Sequence, residues 1–469
     1  MEKLSFYAHS FGCKSNIYET EAISQYLRGE GLLQVEEPES ADLIIFNTCA
    51  VTAEAGRKAR QALRSARKAN ESAVILAMGC YSQLEDLESL VDFSAGTSSR
   101  LPAVKAALRH LREREKEYAA DQLLEPSQEK RSFRERSDVY EELGTIWEQS
   151  ETRAQIKIAD GCEQYCAYCA ICLARGKVRS RERSAILREA EALVAAGHKE
   201  IVLTATNLTA FEQDKCDLGM ALAELVEDIA RIPGLIRLRL GSLEPQRLIP
   251  EAIERLGRVS KLCPHFHMSL QSGSDKILGK MERGYTTNQY REIVAKLREN
   301  FPELSLTTDI MVGFPGEEEI DFQDTLAFAK EIGFSRIHVF RYSPRPGTKA
   351  ARMPQVDEAI KKDRSQRLQE LADNLAAKRA SEQIGKEVEV ILEQEQDKEL
   401  ITALRDLEDF PKKAELSSAR KVYSAYTANY FPAEIYLNEE QSKRLKQGSF
   451  CRAEVLINRG DNLILGLKS

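Results

Sequence analysis

A chain of 469 residues is long enough for two or three domains and at least one sizeable core. With 42% apolar and 30% charged residues the composition is that of an ordinary soluble protein, and a net charge of -7 gives no global basic signature for nucleic acid, so such a partner would need a local basic face. No apolar run approaches membrane-spanning length, and the opening MEKLSFYAHS has no apolar signal-peptide core. The expectation is a cytoplasmic protein with no membrane partner, in which thiols stay reduced and clustered cysteines point to metal or catalysis.

Residues 1–130 alternate short apolar runs with charged helical sequence. KLSFYAHSFG, ADLIIFNTC and SAVILAMGC read as strands, the pattern of a parallel α/β sheet. The strongly charged stretch from about 110 reads as a solvated helix, and residues 131–150 as a linker. Residues 151–380 repeat strand then helix: AQIKIADG, EIVLTAT, LIRLRLGS, HFHMSLQSG, LTTDIMVGFPG and RIHVFRYS are the strand candidates. Six such units predict a partial (β/α)6 barrel with its site at the C-terminal strand ends. Residues 381–469 change character. KEVEVILEQ, KVYSAYTANY and SFCRAEVLINRGDNLILGL read as a small antiparallel β domain. The fold class is therefore α/β with a β appendix.

Cysteines mark two places. Cys13, Cys49 and Cys80 each sit just past a predicted strand of the first segment, so one sheet edge would bring them together. Gly12 and Gly79 precede two of them and permit a tight turn. The competing reading is three scattered buried thiols. Cys162, Cys166, Cys169 and Cys172 crowd into DGCEQYCAYCAICLARG, directly after the first barrel strand. Such thiolates suit a soft metal, either zinc held by four or an iron–sulfur cluster held by three. Three would leave one iron free to bind substrate or cofactor. Polar residues and glycines at the other strand ends, Asn207, Ser242, Glu244, Gln271, Gly313 and Gly316, are candidate cofactor contacts. His265 and His267 share a strand face and read as a polar barrel layer, and Cys216, Cys263 and Cys451 as structural thiols.

CEQYCAYC, with Tyr168 as its aromatic, resembles the C-x3-C-x-aromatic-C signature of radical S-adenosylmethionine (SAM) enzymes. ARGKVRSR, SLEP, LQSGS, GFPGE and YSPRPGT follow in the order of the methylthiotransferase family, and the resemblance covers nearly the whole chain. It implies an N-terminal domain with a cluster of its own, a radical SAM barrel, and a C-terminal domain of the TRAM type. It implies two 4Fe–4S clusters, one on Cys162, Cys166 and Cys169 and an auxiliary one on Cys13, Cys49 and Cys80. In such enzymes the open iron of the first chelates SAM, reductive cleavage gives a 5′-deoxyadenosyl radical, and the second carries the sulfur to be delivered. An external electron donor and a sulfur donor are implied as partners, and a monomer is expected. The chain departs from the family at Cys172, where proline is usual, at Ala205, Thr209, Glu212 and Ala425, where glycine is common, and at Glu318, where threonine is usual. Cys172 would either stand spare or close the open iron.

FGCKSNIYETE, NTCAVTAEAGRKARQ and GCYSQ resemble the group acting on N6-threonylcarbamoyladenosine at position 37 of tRNA, rather than those acting on isopentenyladenosine or on a ribosomal-protein aspartate. The implied reaction inserts a methylthio group at C2. For tRNA, the basic stretch from Gly56 to Lys68 offers phosphate contacts and Tyr426, Asn429 and Tyr430 offer stacking. The rival in another class is a non-enzymatic zinc or iron–sulfur module built on the four clustered cysteines.

Overall fold

The computed structural model describes residues 3–120, 131–149, 151–215, 219–396 and 419–467. The N-terminal sheet holds β1 (Ser5–Ser10), β2 (Leu33–Gln34), β3 (Leu43–Thr48), β4 (Val74–Gly79), β5 (Phe93–Ala95) and β6 (Ser132–Phe133), in the order β2-β1-β3-β4-β5-β6. Every pairing in it is parallel. β3 and β4 are buried along their whole length, which is why they read as unbroken apolar runs. Alternate side chains feed two cores. Leu43 and Ile45 pack with α1 (Lys14–Gly29) and α4 (Arg100–Ala120), and Ile44 and Phe46 pack with α2 (Ala53–Ala69). α3 (Cys80–Leu84) follows β4 without a gap.

The central domain carries the six expected strands: β7 (Ala154–Asp160), β9 (Glu200–Ala205), β10 (Arg237–Leu240), β12 (His265–Met268), β13 (Ser305–Val312) and β14 (Arg336–Arg341). α6 (Arg183–Ala195), α7 (Met220–Ala230), α8 (Pro250–Gly257), α10 (Thr287–Asn300), α11 (Glu319–Ile332) and α12 (Glu358–Ser381) supply helices to one large shared core, while α5 (Ile171–Arg175) and α9 (Asp275–Lys280) are short helices after β7 and β12. Two details depart from the simple repeat. Arg179–Ser180, β8, returns antiparallel onto β7. LIRLRLGS splits at Gly241: β10 pairs with β9, whereas Ser242–Leu243, β11, pairs with β12. A bridge between Leu238 and Leu262 joins the two halves, so the parallel order runs β7, β9, β10, β12, β13, β14.

The segment expected to be a linker is built into both domains. β6 completes the N-terminal sheet, and Leu143 and Ile146 are buried in the central core. The expectation of a free connection fails because apolar residues are interspersed among the charges. The C-terminal domain closes as a barrel of β15 (Glu387–Glu395), β16 (Lys421–Thr427), β17 (Pro432–Leu437), β19 (Asn462–Leu467) and β18 (Phe450–Arg459), with α13 (Glu439–Arg444) beside it. It is antiparallel except between β17 and β19, which run parallel. No helix among the described residues is long and apolar enough to cross a membrane.

Candidate active site

Cys13 caps α1, Cys49 follows β3 and Cys80 opens α3, so three strand ends of one sheet carry them. Gly12 and Gly79 have φ of 94° and 100°. A Cβ at Gly12 would lie 2.5 Å from Cys49 Sγ, and one at Gly79 would strike Asn47 Oδ1 at 2.3 Å, so neither turn admits a side chain. The charge of Cys13 acts on both Cys49 and Cys80, and that of Cys49 on Cys80. Burial pushes the Cys80 thiol up to about 12, while Cys13 is open to solvent.

Cys162, Cys166 and Cys169 occupy the loop between β7 and α5 and also interact electrostatically. Burial pushes Cys169 up to about 12. Arg283 Nη1 donates to Cys166 Sγ at 3.3 Å, and its Nη2 meets Glu244 at 2.5 Å. Cys172 is buried in α5, and its interaction with Cys162 lowers its own thiol and raises that of Cys162. Among the described residues no three His, Cys, Asp or Glu side chains converge on a point that one metal ion would occupy. A 4Fe–4S cluster takes each thiolate on a separate iron and makes no such demand.

One side chain ties the first cysteine group to the segment that follows the second. Arg175, at the end of the loop that carries Cys162 to Cys172, donates from Nε to Cys80 Sγ at 3.1 Å. Its Nη1 binds Glu19 at 2.8 Å and Asp160 at 2.7 Å, and its Nη2 binds Asn16 Oδ1 at 2.8 Å. Arg100 and Lys157 also pair with Glu19, all fully buried. These three cations hold the Glu19 carboxyl far below the usual range against the cost of its burial. The network is formed by α1, α4, β7 and α5, so it locks the N-terminal sheet against the barrel.

Beside Cys169 opens a cavity of about 190 Å³. Val51 and Thr52 beyond Cys49 line one side, Tyr168 and Cys169 another, and Gln271 and Arg345 complete it. A larger hollow of about 740 Å³ lies along β14 and α12, but no cysteine lines it.

The remaining sequence candidates divide. Gln271, with φ of 70°, and Tyr168 line the cavity. Glu244 reaches the Cys166 loop through Arg283. Asn207 is buried, accepts from Thr209 Oγ1, and leaves its Nδ2 without a partner among the described residues. Ser242 is exposed on β11. Gly313 and Gly316 are positive-φ turn glycines packed against Lys361 and Lys280. Ala205 packs on the central core, Ala425 sits in the C-terminal core, and Glu318 caps α11. Glu212, in place of a glycine, adopts φ of 48° and is held by its N–H to Ser180 Oγ at 2.7 Å. His265 and His267 both meet Thr307 Oγ1 at 3.0 Å, as a polar barrel layer does. Cys263 is buried, Cys451 half-buried, and Cys216 lies outside the described residues. Tyr426 and Tyr430 stack on each other, under Arg153 and Arg239, and Asn429 is buried, so they take part in interdomain packing. Sequence reasoning missed Arg175, Arg283, Arg345 and Lys14. Lys14 follows Cys13, and its charge acts on His265, His338 and Tyr430.

The sequence matches the Radical SAM superfamily over residues 156–329 and the uncharacterized protein family UPF0004 over residues 5–96. The threonylcarbamoyladenosine tRNA methylthiotransferase MtaB of Bacillus subtilis (strain 168) is 34% identical over 458 residues, covering 96% of this chain and 95% of that protein. The chain belongs to the radical SAM methylthiotransferase family. A second methylthiotransferase, the tRNA-2-methylthio-N(6)-dimethylallyladenosine synthase of Nitratidesulfovibrio vulgaris (strain DP4), is also 34% identical, over 84% of this chain and 87% of its own. The radical SAM methyltransferase TsrM of Kitasatospora setae shares the fold, with a TM-score of 0.53 at 16% identity, over 75% of this chain and 77% of that one. A radical SAM methylthiotransferase works with a 4Fe–4S cluster and SAM. The donor set fits: three thiols at the required spacing on one loop, an unpartnered amide at Asn207, and a polar pair, Glu244 and Arg283, beside Cys166.

Proposed function

We propose that this methylthiotransferase inserts a methylthio group at C2 of N6-threonylcarbamoyladenosine at position 37 of tRNA. Cys162, Cys166 and Cys169 hold the SAM-binding cluster, and Cys13, Cys49 and Cys80 hold a second 4Fe–4S cluster. The observation that carries this reading is that the cavity lined by Cys169 is also lined by Val51 and Thr52, just past Cys49, while Arg175, at the end of the helix after the second cysteine group, donates to Cys80. A radical made at one group and sulfur carried at the other must meet the same carbon, and two separate sites would not allow it.

When bound, the clusters and SAM supply the radical and the sulfur. The chain's own residues orient and shield them. Arg283 and Glu244 fix the Cys166 loop, Arg175 fixes Cys80 relative to the Cys162 loop, and Tyr168 walls the cavity. Electrons and sulfur come from external donors, and the reaction belongs in the cytoplasm. The substrate is supported by the FGCKSN, NTCAVT and GCYSQ motifs and by a relative of that named activity that spans nearly the whole chain. The test is complementation. Expressed in cells whose tRNA carries threonylcarbamoyladenosine without methylthio, the protein restores the methylthio nucleoside in digests read by mass spectrometry. Methylthio-isopentenyladenosine in its place would transfer the assignment to the other tRNA group.

A further inference from the structure

Arg175 ends α5 and is buried. Its guanidinium is always charged and fixes its N–H donors in one planar fork. Glu19 and Asp160 take Nη1, and Asn16 Oδ1 takes Nη2 at 2.8 Å. Nε is left for the Cys80 sulfur, 3.1 Å away. Asn16 Oδ1 also lies 3.7 Å from Cys13 Sγ, so the fork touches one thiol of the first group and reaches a second through one amide. The backbone beside it holds the other group, because the Cys162 N–H donates to the Gly176 carbonyl at 3.0 Å. Charge balance points the same way. Among the described residues the buried network sets four cations, Arg100, Lys157, Arg175 and Arg179, against three carboxylates, Glu19, Glu141 and Asp160. One positive charge is left over for a thiolate to answer, and the guanidinium that meets a sulfur is that of Arg175.

A hydrogen bond to a ligating sulfur draws charge from it. It stabilises a cluster more when the cluster is reduced and more negative, so it raises the reduction potential. We propose that Arg175 is a positioning residue that holds the Cys80 sulfur and, through its Nε hydrogen bond, raises the reduction potential of the cluster on Cys13, Cys49 and Cys80. This rests on the reading of those three cysteines as cluster ligands given above. The donor belongs to the central domain and the sulfur to the N-terminal one. The potential of this cluster therefore depends on how the two domains are seated, and on the segment that anchors the Cys162 backbone.

The test uses the full chain with Cys162, Cys166 and Cys169 all replaced by alanine, which leaves one cluster to observe. This background should hold about four irons per chain after anaerobic reconstitution. Its potential is read by a redox titration followed by electron paramagnetic resonance. Arg175→Gln loses one charge-assisted hydrogen bond, which disfavours reduction about tenfold and, for one electron, lowers the potential by about 59 mV. Arg175→Lys keeps a charge beside Glu19 and Asp160 without the Nε donor, and its potential falls by less. Arg100→Gln removes a charge from the same network without touching a cysteine, and moves the potential less than Arg175→Gln does. Circular dichroism identifies any variant that fails to fold, and Arg175→Lys then carries the comparison. An unchanged potential in both Arg175 variants would overturn the proposal. So would an equal fall in Arg100→Gln, which would leave charge alone as the cause. A background that holds no cluster sinks the ligand reading and this inference with it. One that holds its cluster and ignores Arg175 sinks this inference alone.

Discussion

At Cys172 the thiol interacts with Cys162, one of the proposed cluster ligands, although the sequence offers it as a spare. In the proposed assignment Cys162, Cys166 and Cys169 hold three irons and the fourth stays open to SAM. Cys172→Ala is expected to match the wild type in iron content and in 5′-deoxyadenosine formed, and a loss of iron would make Cys172 a ligand. Glu19 is a different case. It is fully buried and gathers Arg100, Arg175 and Lys157. Glu19→Ala leaves three buried cations short of a partner and should cost about 3–5 kcal/mol in chemical or thermal unfolding. The cysteines were legible because spacing on one loop and recurrence at strand ends are patterns. Glu19, Arg175 and Arg345 were not, since a single charged residue in a chain with 30% charge has no local mark of burial.

Among the elements, α2 joins site and surface. Thr52 lines the cavity and caps the helix by accepting from the N–H of Ala55 at 3.1 Å. Gly56, Ala59, Leu63 and Ala66 face the sheet, while Arg64 and Lys68 are exposed. Arg60 and Arg67 on the same helix are taken by Glu85 and Asp92. Arg64 and Lys68 are therefore the better phosphate contacts. Replacing both with glutamine should weaken tRNA binding and flatten log Kd against log salt by about one to two units of slope. An unchanged slope would place α2 off the RNA path. The strands were legible because each is an apolar run ending at a turn. The split at Gly241 was not, because pairing partners are chosen across the sheet and leave the same LIRLRLGS on the page.

For the whole molecule, the three domains share buried contacts that no local pattern announces. The C-terminal barrel docks on the central one through Tyr430, whose ring lies 4.5 Å from that of His265 with Arg239 over its face. Burial, and the charges of Arg239, His267, Lys14 and Arg153, keep His265 neutral well below its ordinary range. The unfolded chain binds a proton at about pH 6.5 that the folded one refuses, so this stability is present above that pH and lost below it. The loss is about 1.4 kcal/mol per pH unit until the folded value is reached. Unfolding midpoints measured between pH 7 and 5 should fall less steeply in His265→Gln than in the wild type.

The most direct test of the account is an anaerobic reaction of the reconstituted protein with SAM, a reductant and tRNA carrying threonylcarbamoyladenosine, run beside Cys49→Ala. The account predicts methylthio product and 5′-deoxyadenosine from the wild type, and 5′-deoxyadenosine without methylthio product from the variant. Methylthio product from Cys49→Ala, or none from a wild type shown to hold both clusters, would contradict it.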